Sequence, residues 1–401
     1  MKITVIGAGV IGSAVAAELL AHDDVTQVQV CDASGRVLQE LHNLLRTPRV
    51  RSFQVDARDP NTLRSILEGS ACTIGCVAPQ LNPALAELCL SLGIHFCDLG
   101  GNDALVEKEL TMADRARDRG IWIVPNCGLA PGLVNVLCLL GVEQFEEVHA
   151  AHIRVGDVPL HPEPPFNFRI AWSVEKVIED YTHPVRVIAD GQVSAVAPLS
   201  GVEPIFFPGT SAPLEAFCTG GSLSGLIEAL VGRVHTLDHK TICYAGHAHQ
   251  MQFLLGLGFG DRHSIDVRTH LSYRDVLVRR MRQRLGGEHE DRVLLRVLIQ
   301  GRREGQDASL VFEMVAQYDE PQGLSAMRRC TAIPVATVAM MIARGQVTGA
   351  GADLPEQVVS KAAYCGQLTE RGLPLQAHWY EGHVSVEDPQ GTPVHHHAPL
   401  W

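Results

Sequence analysis

The sequence predicts an α/β protein: an N-terminal Rossmann-type, doubly wound parallel sheet, then a second, mixed α/β domain for substrate binding and dimerisation. Three observations predict it. Apolar runs of strand length alternate with helix-period runs as far as residue 125, the pattern of a parallel sheet covered on both faces. The glycine pattern GAGVIG directly follows the first such run. Past Asn135 the runs lengthen and carry hairpin turn signals, DG at 190–191 and EGQD at 304–307.

The first domain, residues 1–125, reads in order as strand KITVIG, helix SAVAAELLA, strand VQVCD, helix GRVLQELHNLL and strand RSFQVDA. Helix NTLRSILEG, strand ACTIGCVAP, helix NPALAELCLSLG, strand IHFCDLG, helix ALVEKELTMADRARDRG and strand IWIVPNCG complete it. The stretch PNCGLAPGLVN (125–135) carries the chain into the second domain. There Pro131 is expected at the first helical position, which suits its missing N–H. Ala130 then stands where a capping side chain worth about 1 kcal/mol would. The second domain, 126–330, holds the strand-like EVHAAHIRVGDVP, PVRVIADGQVSAVAPL, RVHTLDHKTICYAG and VLLRVLIQGRREGQDASLVFEMVAQYD. Residues 331–370 hold the helical IPVATVAMMIARG (333–345) and return to the first domain, and 371–401 form a terminal hairpin and a loose tail. The HHH of that tail reads as exposed chain rather than as a metal site.

With 401 residues, 46% hydrophobic and 19% charged, the chain can bury two cores. A net charge of −12 and a pI near 5.9 argue against nucleic-acid or membrane partners. The basic VRRMRQR (278–284) is then a solvated helix face. Eleven cysteines, odd in number and without a CxxC pair, argue against a disulfide framework or a zinc site, so a reducing cytoplasm and no metal are expected. Neither a signal peptide nor a membrane span is expected, because apolar runs such as MQFLLGLGFG (251–260) are short and glycine-rich.

The strongest motif is VIGAGVIGSAV. Gly7 permits the tight turn, Gly9 lets a pyrophosphate approach the backbone at the helix N-terminus, where Val10 and Ile11 follow, and Gly12 lets helix and strand pack closely. Asp32, twenty residues after Gly12 at the end of VQVCD, would accept hydrogen bonds from the ribose hydroxyls and repel a 2′-phosphate, which favours NAD over NADP. Arg36 stands nearby as the counter-argument. Ligands of doubly wound sheets sit at the carboxyl ends of strands. Asp56 and Ala57 therefore fall near the adenine, Val77, Ala78 and Pro79 along the cofactor, and Asp98 toward the nicotinamide. For Asp56 and Asp98 a loop or helix-capping acid is the competing reading.

The fingerprint, CDLGGN, VPNCGLAPGLVN, the long segment from RVGDVP to HPVRVI, PLEAFCTGG (213–221) and HKTICYAGH (239–247) together resemble the saccharopine dehydrogenase superfamily, and within it the L-lysine 6-dehydrogenases. The resemblance runs to about residue 370. It implies NAD-dependent oxidative deamination of the lysine ε-amino group by a cytoplasmic homodimer or larger homo-oligomer, with a small amine or amino acid as substrate. Only a neutral amine can release hydride, and the free amine has a pKa of about 10.4, so a base or a pKa-lowering pocket is required. The resembling segments offer Asp98, His183 and Lys240 as catalytic candidates, and Arg154, Tyr181, Glu203, Thr219 and His247 as substrate contacts. Backbone groups at Asn126, Cys127, Gly128 and Gly132 would hold the nicotinamide edge, with no nucleophilic role for Cys127. The resemblance also implies departures. Saccharopine reductases carry an acid in their GLAPG and a cysteine in their RVGDVP, where this chain has Ala130 and Gly156. Many relatives carry an arginine at the position of Cys243, so Arg154, Arg169 or Lys240 must meet a substrate carboxylate, or the substrate has none. The competing readings are a reductase that joins an aldehyde to an amine, as in saccharopine or carboxyspermidine chemistry, and an NAD-binding protein without turnover.

Overall fold

The structure is a computed structural model that describes residues 1–170, 173–210, 212–221, 223, 225–266, 269–287, 289–389 and 400–401. His395, His396 and His397 of the tail lie outside the described residues. Two compact units divide the chain: Met1–Val136 with Arg328–Leu373 and Trp401, and Leu137–Met327 with Pro374–Leu400.

In the first unit the strands are β1 (Lys2–Ile6), β2 (Gln27–Asp32), β3 (Val50–Gln54), β4 (Cys72–Gly75), β5 (His95–Asp98) and β6 (Trp122–Val124). The second contains β7 (Glu147–Pro159), β8 (Val185–Ala189), β9 (Gln192–Val196), β10 (Glu203–Ile205), β11 (Leu214–Cys218), β12 (Val234–Tyr244), β13 (Asp291–Arg303) and β14 (Gln306–Gln317). Two late strands, β15 (Gly351–Ala352) and β16 (Leu375–Glu381), join the first and second sheets respectively.

The first sheet has the order β15-β6-β5-β4-β1-β2-β3, and every pairing is parallel. This is the doubly wound sheet expected, and it brings the carboxyl ends of all its strands to one edge. Its central strands are buried through most of their length because helices cover both faces: Ile3, Val5, Val28, Val30, Ile74 and Phe96 are fully buried. The second sheet runs β10-β11-β12-β7-β13-β14-β16, with the β8–β9 hairpin attached to β12. Among the described strands only β12 and β7 pair in parallel, so this sheet is mixed. Both expected hairpin turns form. Asp190 and Gly191 (φ 53° and 75°), like Glu304 and Gly305 (φ 52° and 75°), take consecutive left-handed conformations between paired strands, as tight hairpins of this hand require.

Three local expectations need correction. The stretch around Pro131 is not the first turn of a helix: that helix is Leu133–Val142, and Gly132 precedes it at φ 130°. The late helix starts earlier than its apolar run, at Ala326, and continues to Ala343 with Pro334 inside it. By length and composition it could cross a membrane, yet 72% of it is buried inside the protein, which a core helix also requires. Among the described residues the tail forms no hairpin of its own; Leu375–Glu381 instead adds to the open edge of β14, antiparallel, where a ready row of backbone donors and acceptors waits. The basic stretch around Arg280 behaves as expected. It lies on the helix Tyr273–Leu285, which buries Leu277, Val278, Met281 and Leu285 and leaves Arg279, Arg280, Arg282 and Arg284 exposed.

Candidate functional site

The glycine loop after β1 is shaped by backbone contact. A Cβ on Gly7, whose φ is 99°, would lie 2.2 Å from the Cys76 carbonyl oxygen, and one on Gly12 would lie 1.8 Å from that of Gly7. A Cβ on Gly9 would meet nothing within 4 Å, so the second glycine is required not by the protein's own packing but by whatever occupies the space beside it. Helix Val10–Leu20 starts there with Gly9 as its N-cap and no side-chain cap, leaving its first N–H groups to a ligand, the arrangement that binds a pyrophosphate. Asp32 ties the loop to β2. Its Oδ2 accepts from the Ala8 N–H and its Oδ1 from the Ser34 N–H, both at 2.8 Å. Each oxygen keeps a lone pair for a ribose hydroxyl. These residues fit an adenine dinucleotide. Asp32→Ala is expected to weaken NAD binding about tenfold or more, read by fluorescence titration; unchanged affinity removes Asp32 from the ribose site.

Cys76–Pro79 follow β4 on the same edge, with Ala78 exposed and Pro79 opening a short 3-10 turn. Asp56 and Ala57 follow β3. Asp56 does not cap the next helix, a role taken by Asp59, which accepts from Asn61 and Thr62. Instead it binds the Arg58 guanidinium at 2.8 Å, whose hydrogen bond holds its carboxyl below the usual range. Arg36 is exposed and pairs with Glu40 at 3.5 Å.

Asp98 differs from its expected role. It is fully buried, and neither offers its carboxylate to solvent nor caps the helix Asp103–Leu110, whose N-cap is Asn102. Its Oδ1 accepts from Gly100 N at 2.6 Å and Asn126 N at 3.3 Å, while its carbonyl accepts from Cys127 N at 2.8 Å. Asp98 therefore fastens two loops together. Asn126 takes the left-handed conformation, φ 63°, and a Cβ on Gly100 would lie 2.0 Å from the Asn126 Oδ1. Sequence reading missed the group behind this lock. Glu109 is buried to 2% exposure; burial first, then the neighbouring Asp98 charge, pushes its carboxyl up to about 10. Burial raises Asp98 too. The two carboxyl groups face one another, and burial keeps a proton on the pair. Nothing in KEL, a solvated helix by its charges, signals this.

Cys127 is buried, and its thiol donates to the Val124 carbonyl at 3.1 Å; burial raises its pKa, which suits a packing role. Gly128 bridges to Gly132 and takes the Leu133 N–H at 2.9 Å. The cap that Ala130 was expected to forgo is supplied by Asn135, whose Oδ1 accepts from Gly132 N at 3.3 Å. Its Nδ2 donates to the buried Glu356, a carboxyl that burial raises to about 7.

In the second unit the predicted residues separate onto opposite faces of the sheet. Arg154, only 1% exposed, lies beside Lys240 in the β12–β7 register. It donates to Glu203 Oε1 at 2.5 Å and Asp238 Oδ1 at 2.7 Å, and Lys240 also bonds Glu203. Burial works to raise Asp238, but hydrogen bonds from His152 and Arg154 prevail and lower it. Arg154, Glu203 and Lys240 thus form a closed ion-pair network. A Cβ on Gly156, two residues along, would stand 2.1 Å from the Ile242 carbonyl oxygen, so its missing side chain is a packing requirement. The alternating register gives Thr219, Thr241, Phe217 and Cys243 the other face. There Thr219 and Thr241 hydroxyls meet at 2.6 Å, and the Tyr181 hydroxyl meets His247 Nε2 at 3.1 Å. Phe168 lies 4.3 Å from the His247 ring and Phe217 stacks on it at 5.9 Å. Burial lowers His247 to about 4, so its imidazole is neutral at pH 7. His183 does not join this cluster: it stays exposed, with Nδ1 at the Glu179 carbonyl. Arg169 binds Glu163 at 2.8 Å.

A doubly wound dinucleotide-binding unit and a mixed-sheet unit define the class. The model of the saccharopine dehydrogenase NADP binding domain matches residues 3–124, and that of the saccharopine dehydrogenase C-terminal domain matches residues 128–373. The chain belongs to the saccharopine dehydrogenase family. Among curated relatives, it is 23% identical over 273 residues to the mitochondrial alpha-aminoadipic semialdehyde synthase of Mus musculus, covering 65% of this chain and 28% of that one. It is 24% identical over 216 residues to the carboxyaminopropylagmatine dehydrogenase of Synechocystis, covering 52% and 54%. The matched parts are thus at most about half of these relatives' length. Two solved structures share the fold: saccharopine dehydrogenase (L-Glu forming) from Saccharomyces cerevisiae, TM-score 0.78, 16% identity, covering 94% of this chain and 99% of that one, and homospermidine synthase from Legionella pneumophila in complex with NAD, TM-score 0.65, 15% identity, covering 97% and 96%.

Proposed function

We propose that the chain is a nicotinamide-dinucleotide-dependent oxidoreductase acting on a C–N bond, and that it oxidatively deaminates the lysine ε-amino group. The products are ammonia and a semialdehyde that closes to a piperideine carboxylate. The observation that carries the reading is the open space beside Gly9 at an uncapped helix start, in a chain of this family. The cofactor supplies the hydride acceptor, NAD being preferred because Asp32 repels a 2′-phosphate. The chain's own residues bind and handle protons. His247 is in its base form at neutral pH and takes the amine proton, with the Tyr181 hydroxyl fixing its ring. Arg154 and Lys240 are buried and engaged by Glu203 and Asp238, whereas Arg169 is partly exposed and its partner Glu163 lies exposed and displaceable, so Arg169 is the cation that meets the α-carboxylate. Asp98 acts on the loops rather than on substrate.

A second reading, reductive joining of an aldehyde and an amine through an imine, is favoured by the likeness to the carboxyaminopropylagmatine dehydrogenase. One assay separates the two. Purified protein with L-lysine and NAD, or NADP, is expected to yield reduced cofactor and ammonia in equal amounts, and His247→Gln to lower kcat about a hundredfold while cofactor affinity holds. Oxidation of the reduced cofactor only when an aldehyde and an amine are both supplied gives the second reading; no turnover across basic amino acids and diamines, with or without an aldehyde, sinks both.

A further inference from the structure

On the face of the second sheet that carries Cys243, the end of β7 and the start of β13 bring Asp157 and Asp291 together, with His289 just before β13. One ligand atom from each of the three lies within 4.8 Å of the others. The three side chains turn hydrogen-bond acceptors to the centre of this group. Asp157 is 3% exposed, and neither of its carboxyl oxygens meets an N–H or O–H among the described residues. His289 has Nδ1 at 3.2 Å from the Gly287 carbonyl, which makes Nδ1 the donor and leaves the lone pair on Nε2, itself buried without a partner. Asp291 is held from behind by the Ala326 and Met327 N–H groups at 2.5 and 2.9 Å. A ring nitrogen oriented by a backbone carbonyl and a carboxylate held by outer hydrogen bonds are the supports that metal ligands carry.

We propose that Asp157, His289 and Asp291 hold a divalent first-row metal cation, Zn²⁺ or Mn²⁺, at a structural site that fastens the end of β7 to the start of β13. A proton shared by the two carboxyl groups satisfies one pair of oxygens and leaves the second Asp157 oxygen and His289 Nε2 without a partner; a cation satisfies all three side chains at once. Two carboxylates and one imidazole suit these metals. Bonds of about 2.0–2.2 Å place ligand atoms within about 4.4 Å of one another, so the group closes on the ion by a sub-ångström adjustment. The guanidinium of Arg292 does not compete, since it alternates to the opposite face of β13 and donates to the Gly209 carbonyl.

The full chain, stripped with a chelator and titrated with ZnCl₂ and separately with MnCl₂ by calorimetry, tests the site. For at least one of the two metals, one equivalent is expected to bind and to raise Tm. Asp157→Asn and His289→Gln are each expected to weaken it at least about tenfold, while His383→Gln, in an exposed His149–Asp307–His383 group, leaves it unchanged. Asp157→Asn keeps the shape and supplies an N–H to Asp291, so it folds without metal. Absence of a bound equivalent with both metals, or an equivalent that persists in both variants, overturns the proposal. Metal occupancy is read without turnover, so its failure is distinct from that of the dehydrogenase reading.

Discussion

Gly9→Val is expected to raise the Kd for NAD at least about a hundredfold, close to 2.7 kcal/mol, while Tm stays within about 2 °C of the parent. Gly12→Val is expected to lower Tm by roughly 5–10 °C. The two glycines sit three residues apart in one motif, yet the structure separates their reasons. The Gly12 Cβ position lies 1.8 Å from a backbone oxygen, so any side chain there pushes helix Val10–Leu20 away from β1, and overpacking of this kind costs about 1–3 kcal/mol or more. At Gly9 a side chain meets no protein atom within 4 Å and the backbone is extended, φ −63° and ψ −165°, a conformation that valine adopts without strain. The side chain would instead fill the volume where the pyrophosphate must approach the helix start. Fluorescence titration with NAD and thermal unfolding on both variants check this. A Gly9→Val protein that binds NAD like the parent would show that the cofactor does not use this loop.

The first sheet was legible because its determinants are local. A glycine motif and apolar runs of the right length dictate a strand, a turn and a helix irrespective of distant residues. The hairpin turns were legible for the same reason, since DG and EG each place a glycine, which adopts positive φ freely, in a two-residue turn. What escaped were features set by groups far apart in sequence. Glu109 looks like any acid on a charged helix, and only its packing beside Asp98 turns it into a buried proton donor. Gly156 reads as the loss of a reactive side chain by comparison with relatives, whereas the close approach of Ile242 across the sheet makes glycine the residue that fits. By charge alone Arg154 and Lys240 suit a substrate carboxylate. Their engagement with Glu203 and Asp238 depends on strand register that no local pattern encodes, and the same register sends Thr219 and the Tyr181–His247 cluster to the other face.

Glu109→Gln carries the second large expectation, a change in how stability depends on pH. In the native protein the Glu109 carboxyl is raised from 4.5 to about 10 by burial and by Asp98. A group whose pKa is raised on folding contributes stability that is fully present below its unfolded pKa and is lost as pH rises through the folded one. Glu109 therefore makes the parent progressively less stable from about pH 4.5 toward pH 10. Glutamine keeps a donor for Asp98 and does not titrate, so the two proteins should match near pH 4.5 and diverge above it. The variant should be the more stable by on the order of 3 kcal/mol at pH 7, a Tm difference of roughly 6–12 °C, and by more as the pH rises to 9. Asp98→Ala behaves differently. It removes the acceptor of the Gly100 and Asn126 N–H groups and should destabilise across that range by about 1–3 kcal/mol, with weaker NAD binding, because the loops it fastens lose their anchor. Thermal unfolding of the three proteins from pH 5 to 9 decides the matter: parallel curves for the parent and Glu109→Gln would mean that Glu109 is already ionised at neutral pH and that Asp98 is held by its backbone donors alone.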